Sequence, residues 1–161
     1  MNETIHEQIA QWIAAALDGK QVEPGVPPPD KTLTLQAVRP KVIDWNIEDF
    51  KHGDVVIEAG PLTTESRTTV QSRTEMGEWT CYGIIRTLPP DTVADTVISR
   101  MIETIRRLLL AGNKAGLACE GLATCIDCPA ASFLTCSGGV IAQVTVNVRY
   151  RTALFDGYTQ A

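Results

Sequence analysis

The sequence of 161 residues lacks the motifs that usually accompany catalysis. It contains no GxGxxG, GxxxxGKS/T, GxSxG or HExxH pattern, so nucleotide binding, serine hydrolysis and zinc proteolysis have no sequence support. Only two histidines occur, His6 and His52, and neither lies beside a candidate nucleophile in the sequence. We expect both to face solvent, and we expect a protein that is not an enzyme and has no cofactor.

An excess of positive charge and a long apolar run are also absent. The 14 Lys and Arg against 19 Asp and Glu give a net charge of -5, whereas non-specific nucleic-acid binding depends on clustered Lys and Arg. The N-terminus has neither the basic start nor the continuous apolar core of a signal peptide, and no apolar run reaches the length of a membrane span. We expect no membrane contact and a cytoplasm in which thiols stay reduced.

The length and composition are those of one globular domain. Hydrophobic residues make up 44% and charged residues 20% of the chain, which is enough to bury a core without disulfides or a metal. We predict a single domain over residues 1–161. It consists of an N-terminal helix within 1–19, a proline-rich connector over 20–31 and a sheet-and-helix core over 32–155.

The first predicted helix begins at a capping signal. Thr4 and Glu7 have the spacing of a capping box, and apolar residues then recur at intervals of three and four as far as Gly19. The next segment contains four prolines in the nine residues VEPGVPPPD. Proline cannot continue a helix, so this segment is predicted to be an extended connector.

The second predicted helix has a broader apolar face. Asp91 is placed to cap it, apolar residues recur over 93–109, and Gly112 is placed to end it. Ile102 and Ile105 lie on this face. We expect both side chains to pack against a sheet.

Alternating apolar and polar residues predict four strands. They are TLTLQAV from residue 32, DVVIE from 54, WTCYGIIRTL from 79 and VIAQVTVNVRYR from 140. The connections between them are short or contain one helix. We therefore predict an α+β fold, with one mostly antiparallel β-sheet of four to five strands and two α-helices packed on one face.

Two connecting segments have distinct compositions. The first, between the first two strands, contains apolar side chains that we expect to anchor a loop or short helical turn: Val42, Ile43, Trp45, Ile47 and Phe50. The second, over 59–78, is polar and rich in Thr and Ser. This composition predicts a long hairpin arm or a mobile loop that is poorly buried.

Four of the five cysteines fall within 18 residues, at Cys119, Cys125, Cys128 and Cys136. An odd cysteine count in a reducing compartment disfavours a disulfide framework. A structural zinc site commonly uses two close pairs of ligands, and here only one CxxC pair occurs. A thioredoxin-like site needs that pair at a helix N-terminus after a strand, whereas here it follows a helix. We expect packed thiols in a loop and no metal; a metal site on these four cysteines is the alternative, with a redox role as a third.

The order of the predicted elements resembles that of the small tail-terminator and head-tail joining proteins of long-tailed bacteriophages. The likeness covers most of the chain and rests on an initial amphipathic helix and on five further segments: RPKVIDWNIEDFKHGDVVIEAG, ESRTTVQSRTE, WTCYGIIRTL, DTVADTVISRMIETIRRLLLAG and VNVRYRT. The cysteine-rich insert before the last strand is not part of the family pattern.

The resemblance implies a subunit that associates with itself into a ring, commonly a hexamer, at the head-proximal end of the tail. Such a ring stops tail-tube polymerisation and contacts the tail-tube and neck proteins, and DNA only passes through its lumen. The implied location is the tail or neck of the virion, with assembly in the host cytoplasm. The arm over 59–78 is the expected contact region, through Arg67, Arg73 and Glu75. Alternatives are another neck or tail-tube subunit, or a small cytoplasmic Cys-rich metal-binding module.

Overall fold

The computed structural model describes residues 3–22, 33–66, 72–86, 88, 93–153 and 156–160. These residues contain two short 3-10 turns, at Ile47–Asp49 and Cys119–Gly121. The α-helices and β-strands, in chain order, are α1 Ile5–Leu17, β1 Gln36–Val38, β2 Asp54–Ser66, β3 Ser72–Ile85, α2 Ala94–Leu110, β4 Cys125–Cys136, β5 Gly139–Ala153 and β6 Asp156–Gln160. Most of the predicted proline-rich connector, from 23 onward, lies outside the described residues.

One sheet contains all of these strands. The strand order is β1-β2-β3-β5-β4, and the short β6 pairs with the end of β5. The pair β1–β2 is parallel, and the other described pairs are antiparallel. The predicted α+β fold with a mostly antiparallel sheet is therefore confirmed.

Strand β4 is an addition to the predicted strands, and the expectation that the cysteine-rich segment is a loop is wrong. Its side chains do not alternate in burial beyond Cys128, since β4 lies at the edge of the sheet and residues 129–135 are all exposed. A shift in register between Asp127 and Ala130 brackets Pro129. Proline is tolerated at such an edge bulge because its missing N–H is not needed there.

Helix α1 begins and ends as its sequence predicts. Thr4 Oγ1 accepts a hydrogen bond from the Glu7 backbone N–H at 3.0 Å, which satisfies one of the free donors of the first turn. Beyond the helix, Gly19 has φ +74, a conformation that glycine adopts without strain. Asp18 Oδ1 accepts a hydrogen bond from the Ala37 N–H at 3.0 Å and so joins the end of α1 to β1.

Helix α2 packs against the same face of the sheet as α1. Met101, Ile105 and Leu109 are completely buried, which confirms the prediction for Ile105. Ile102 is only half-buried at the margin of that core. Asp91 lies outside the described residues, and Val93 at the N-cap position makes no side-chain cap. Neither described helix has the length and apolar character that crossing a membrane requires.

The opposite face of the sheet carries a second, smaller core. Its buried residues are Ile47, Val56, Ile84 and Ile141. The segment over 45–50 covers them, with Trp45 in edge contact with both Phe50 and Tyr82. The prediction that this segment is anchored by its apolar residues is confirmed from Trp45 onward. It is wrong for Val42 and Ile43, which are exposed.

Candidate functional site

The polar segment over 59–78 forms much of the β2–β3 hairpin. Its first strand is exposed from residue 59 to 65. Its second strand is not, because β5 pairs along the whole of β3 and leaves no side chain of 72–78 exposed. The expectation of poor burial is therefore right for 59–65 and wrong for 72–78. Arg67 lies outside the described residues.

Arg73 and Glu75, both predicted to contact a partner, pair with each other inside the subunit. Arg73 Nε forms an ion pair with Glu75 Oε1 and donates a hydrogen bond to Thr152 Oγ1 at 3.2 Å. Thr64 Oγ1 donates to Glu75 Oε2 at 3.0 Å. Glu75 is only 3% exposed, so its carboxylate depends on these neighbours for its hydrogen bonds. A contact of either residue with another subunit stays a prediction.

An aromatic cluster lies on the same face of β3 and joins the hairpin to α1. The imidazole of His6 stacks on the indole of Trp79 and its Nδ1 lies 3.3 Å from the Tyr150 hydroxyl. Gly77 makes this stacking possible, because a Cβ there would lie 2.6 Å from the Trp79 ring and 3.2 Å from His6. His6 was expected to face solvent and is instead half-buried. The sequence did contain a signal for this burial, since His6 lies between Ile5 and Ile9 on the apolar side of the helix.

Burial shifts the titration of this cluster. It lowers the pKa of His6, an effect that Glu7 and Glu75 oppose and Arg39 reinforces. It also raises the pKa of Tyr150 to about 12, with a further contribution from Glu75. Tyr150 is 2% exposed. Burial thus favours the uncharged forms of both side chains, which lie where α1 meets the sheet.

His52 is the second histidine and is also half-buried. Its Nδ1 accepts a hydrogen bond from the Arg86 N–H at 3.0 Å, and burial lowers its pKa. The prediction that the two histidines face solvent is therefore wrong for both. Each imidazole contacts residues from another part of the chain.

The four clustered cysteines are spread over the fold. Cys119 is buried in a 3-10 turn, Cys125 is exposed at the start of β4, Cys128 is buried, and Cys136 is half-buried at the other end of β4. At about 3.3 Å per residue, the two ends of this strand lie roughly 35 Å apart. Among the residues that the structure describes, no three His, Cys, Asp or Glu side chains are placed to hold a metal ion. The metal-module alternative thus has no ligand set there.

The buried thiols have the character of core residues. Burial raises the pKa of Cys119 to about 12 and that of Cys128 to about 11. Burial also raises the pKa of Cys81, which lies in the core. A thiol reacts through its thiolate, so these three cysteines are suited to packing and not to redox chemistry.

The outer edge of β4 is the first surface suited to a partner. Asn113 covers its beginning, where the side-chain amide donates to the Ile126 carbonyl at 2.9 Å and accepts from the Ile126 N–H at 3.0 Å. Further along, over 130–136, no strand pairs with this edge within the described part of the chain. This stretch has no charged residue, and Phe133 and Leu134 are 56% and 52% exposed. Proteins usually protect such edges with charges or covering elements.

A second open edge lies on the far side of the sheet. Strand β1 pairs only with Asp54–Val56 of β2. The outer edge of β2 over 59–65 therefore has no strand partner among the described residues. It is exposed, and it is uncharged from 59 to 64 with Leu62 at 52% exposure.

No family model matches the sequence, and no curated protein matches it. The geometry of the two edges and of the surfaces beside them is therefore the evidence on function.

The surface beside the β4 edge contains a cavity of about 480 Å³, which we call the β4 pocket. Its walls combine apolar and aromatic side chains from the second core and from β4 with polar residues. The apolar and aromatic ones are Trp45, Ile47, Tyr82, Leu134, Cys136 and Ile141, and the uncharged polar ones are Asn46, Ser137 and Gln143. Glu48 is at the same cavity and is exposed. This pocket could not be predicted from the sequence, because its walls come from four separate segments of the chain.

The surface beside the β2 edge carries two exposed apolar side chains. The backbone over 39–43 runs beside Ile57–Ala59 and lines a cavity of about 340 Å³ with it. Here Ile43 is 99% exposed and Val42 is 57% exposed. We call these two side chains the 42–43 knob. Apolar groups exposed together in this way are typical of a contact with another molecule.

Proposed function

We propose that this protein is the tail terminator of a long-tailed bacteriophage, a structural subunit that assembles into a ring at the head-proximal end of the tail. In this role the ring stops tail-tube polymerisation and joins the tail to the neck proteins. The order of helices and strands in the sequence, which resembles that of such proteins, motivates the proposal.

The observation that carries the proposal is the presence of two open, uncharged sheet edges on opposite sides of one subunit. The β4 edge over 130–136 and the β2 edge over 59–64 are separated by β3 and β5. A subunit with different contact surfaces on two sides associates head to tail, and such association yields a closed ring when the rotation between subunits closes. A ring subunit has no need of a catalytic pocket.

The net charge of -5 also suits the proposed role. DNA passes through the lumen of a tail ring without being bound. A protein with a mildly negative charge has little general attraction for the phosphate backbone. Salt-dependent binding of the purified protein to duplex DNA would argue against the proposal.

Electron microscopy of the purified protein, together with analytical ultracentrifugation, tests the proposed assembly. We expect ring-shaped particles with a central hole, in a sedimenting species of several subunits. Micrographs of virions labelled with an antibody against this chain test the location, and we expect label only where the tail meets the head. Label along the whole tail would instead identify a tail-tube subunit.

A further inference from the structure

The 42–43 knob and the β4 pocket are two separate surfaces of one chain. The knob is beside β2 and the pocket opens at β4 and β5, with β3 between them in the strand order. Strands lie about 4.8 Å apart, so β2 and β4 are separated by roughly 14 Å. Trp45 forms a wall of the pocket, contacts Tyr82 and donates a hydrogen bond to Glu58 Oε2 at 2.7 Å, whereas Ile43, two residues earlier, is 99% exposed. The knob therefore does not fill the pocket of its own subunit.

The pocket has the size and lining to receive the knob. Pockets of roughly 300–1,000 Å³ typically hold a drug-sized molecule, so a cavity of about 480 Å³ has room for two branched aliphatic side chains. The aromatic and aliphatic part of the walls suits Val42 and Ile43, and the polar residues of the lining include Glu48. Leu134 at the rim is 52% exposed and would be covered by an incoming chain.

Charges beside the two surfaces are also complementary. Lys41 precedes the knob and is exposed, and Glu48 at the pocket is exposed with the opposite charge. Asp44 follows the knob and would be repelled by Glu48. The pair of flanking charges thus favours one orientation of the knob, and complementarity of this kind contributes mainly to specificity.

We infer that the 42–43 knob of one copy of this chain binds in the β4 pocket of the next copy. The contact joins two different surfaces, so the pair that it forms keeps one free knob on one copy and one free pocket on the other, and further copies can add at both ends. It also brings the open β2 edge of one copy toward the open β4 edge of its neighbour. The contact is an inference from the two surfaces alone; that it closes a ring on the tail rests on the proposed function.

The natural Cys136 in the pocket wall provides a direct test. The Ile43→Cys variant places a thiol on the knob, and treatment with the thiol oxidant diamide removes two hydrogen atoms for each disulfide formed. We expect a ladder of dimers, trimers and higher multimers on a non-reducing gel. The ladder must disappear in Ile43→Cys/Cys136→Ser and persist in Ile43→Cys/Cys125→Ser, because Cys125 is exposed at the other end of β4.

The sizes of the cross-linked species distinguish a knob-in-pocket contact from a contact in which the same surface meets itself. A contact in which the same surface meets itself stops at dimers, because the introduced thiols of two copies would then bond to each other without Cys136. Dimers alone, a ladder independent of Cys136, or no cross-link at high protein concentration would each overturn the inference. Misfolding is not expected, because Ile43 is 99% exposed, and an unchanged Tm verifies this.

A second variant gives a measurement without cross-linking. We expect Ile43→Asp to raise the dissociation constant for self-association by about tenfold or more in sedimentation experiments, because a carboxylate would lose its hydration in an apolar pocket. The matched control is Val93→Asp, since Val93 is 62% exposed and lies at the start of α2, away from both surfaces. Equal effects of the two variants would contradict the inference.

The outcomes also separate this contact from the proposed function. A Cys136-dependent ladder in a protein that does not affect tail tubes leaves the contact standing and removes the terminator role. Arrest of tail tubes by a protein that gives no ladder leaves the terminator role standing and removes the contact.

Discussion

The imidazole ring of His6 lies against the indole ring of Trp79, with 4.4 Å between the ring centroids and 25° between the planes. This contact joins the first turns of α1 to the middle of the sheet. Both histidines of the chain take part in packing, since the His52 imidazole accepts a hydrogen bond from the Arg86 backbone. The stability of the fold is consequently linked to their protonation.

We expect the free energy of unfolding to fall as the pH decreases through the ordinary histidine pKa of 6.5. The pKa values of His6 and His52 are lowered in the folded protein, mainly by burial. Just below that pH the unfolded chain therefore binds protons that the folded chain does not, and protonation favours unfolding. Urea unfolding at about pH 7.5 and about pH 5.5, on either side of the histidine pKa, measures the difference. If the free energy of unfolding differs by the same amount between these two pH values in His6→Gln/His52→Gln, groups other than the two histidines cause the pH dependence.

Arg73→Ala is expected to destabilise the subunit by about 2–4 kcal/mol, because it leaves the buried Glu75 carboxylate without its cation and breaking such a pair is costly. The side chain of Arg73 is 32% exposed, so water offsets part of the loss and the lower end of the range is expected. Urea unfolding of Arg73→Ala, Glu75→Gln and the double variant forms a thermodynamic cycle. Strictly additive losses would show that the two side chains are not coupled.

Ile105→Asp is expected to abolish soluble folding, whereas Ile102→Asp leaves a folded but weakened protein. Ile105 is completely buried against the sheet and Ile102 is half-buried, and an unpaired carboxylate is far more costly in a dry core than near solvent. Ser99→Asp, on an exposed position of the same helix, serves as the control. Soluble yield and far-UV circular dichroism measure the outcome. Equal behaviour of the two isoleucine variants would mean that the buried face of α2 is wrongly assigned.

The five thiols are expected to differ widely in reactivity. Cys125 is exposed and Cys136 is half-buried, whereas the remaining three cysteines lie in the core. Titration with Ellman's reagent should therefore show one fast thiol, one slower thiol and three that react only after unfolding. The fast phase should be absent from Cys125→Ser. Rapid reaction of all five thiols in the folded protein would contradict the packing described for β4 and its neighbours.

Periodic segments with one buried face could be predicted from the sequence. The apolar faces of α1 and α2 and the alternation in β3 and β5 reflect burial on one side only. The structure places α1, α2 and β5 close to their predicted positions, whereas β3 begins at Ser72 and not at Trp79. Strand β4 lacks this pattern because it lies at the sheet edge. Residues 72–78 are mostly polar, yet they are buried or half-buried, and β5, from a distant part of the chain, pairs along them. Local composition carries no information on that pairing.

The candidate site was less accessible to sequence analysis than the fold. The segment around Trp45 was correctly expected to be anchored, but which of its apolar residues are buried depends on the chain path over the sheet. Val42 and Ile43 project outward because the backbone runs beside β2 before it crosses the second face. The β4 pocket likewise exists only once that segment and β4 lie side by side. Surfaces built from distant segments become visible only in the folded structure.

The length of tail tubes assembled in the presence of this protein is the decisive measurement for the proposed terminator role. Tail-tube subunits of the same virus would be polymerised in vitro with and without the purified chain, and tube lengths would be measured by electron microscopy. If the protein is a terminator, tubes stop growing soon after it is added and carry a ring at one end. Tubes that continue to lengthen at the same rate, with both ends bare, would contradict that role.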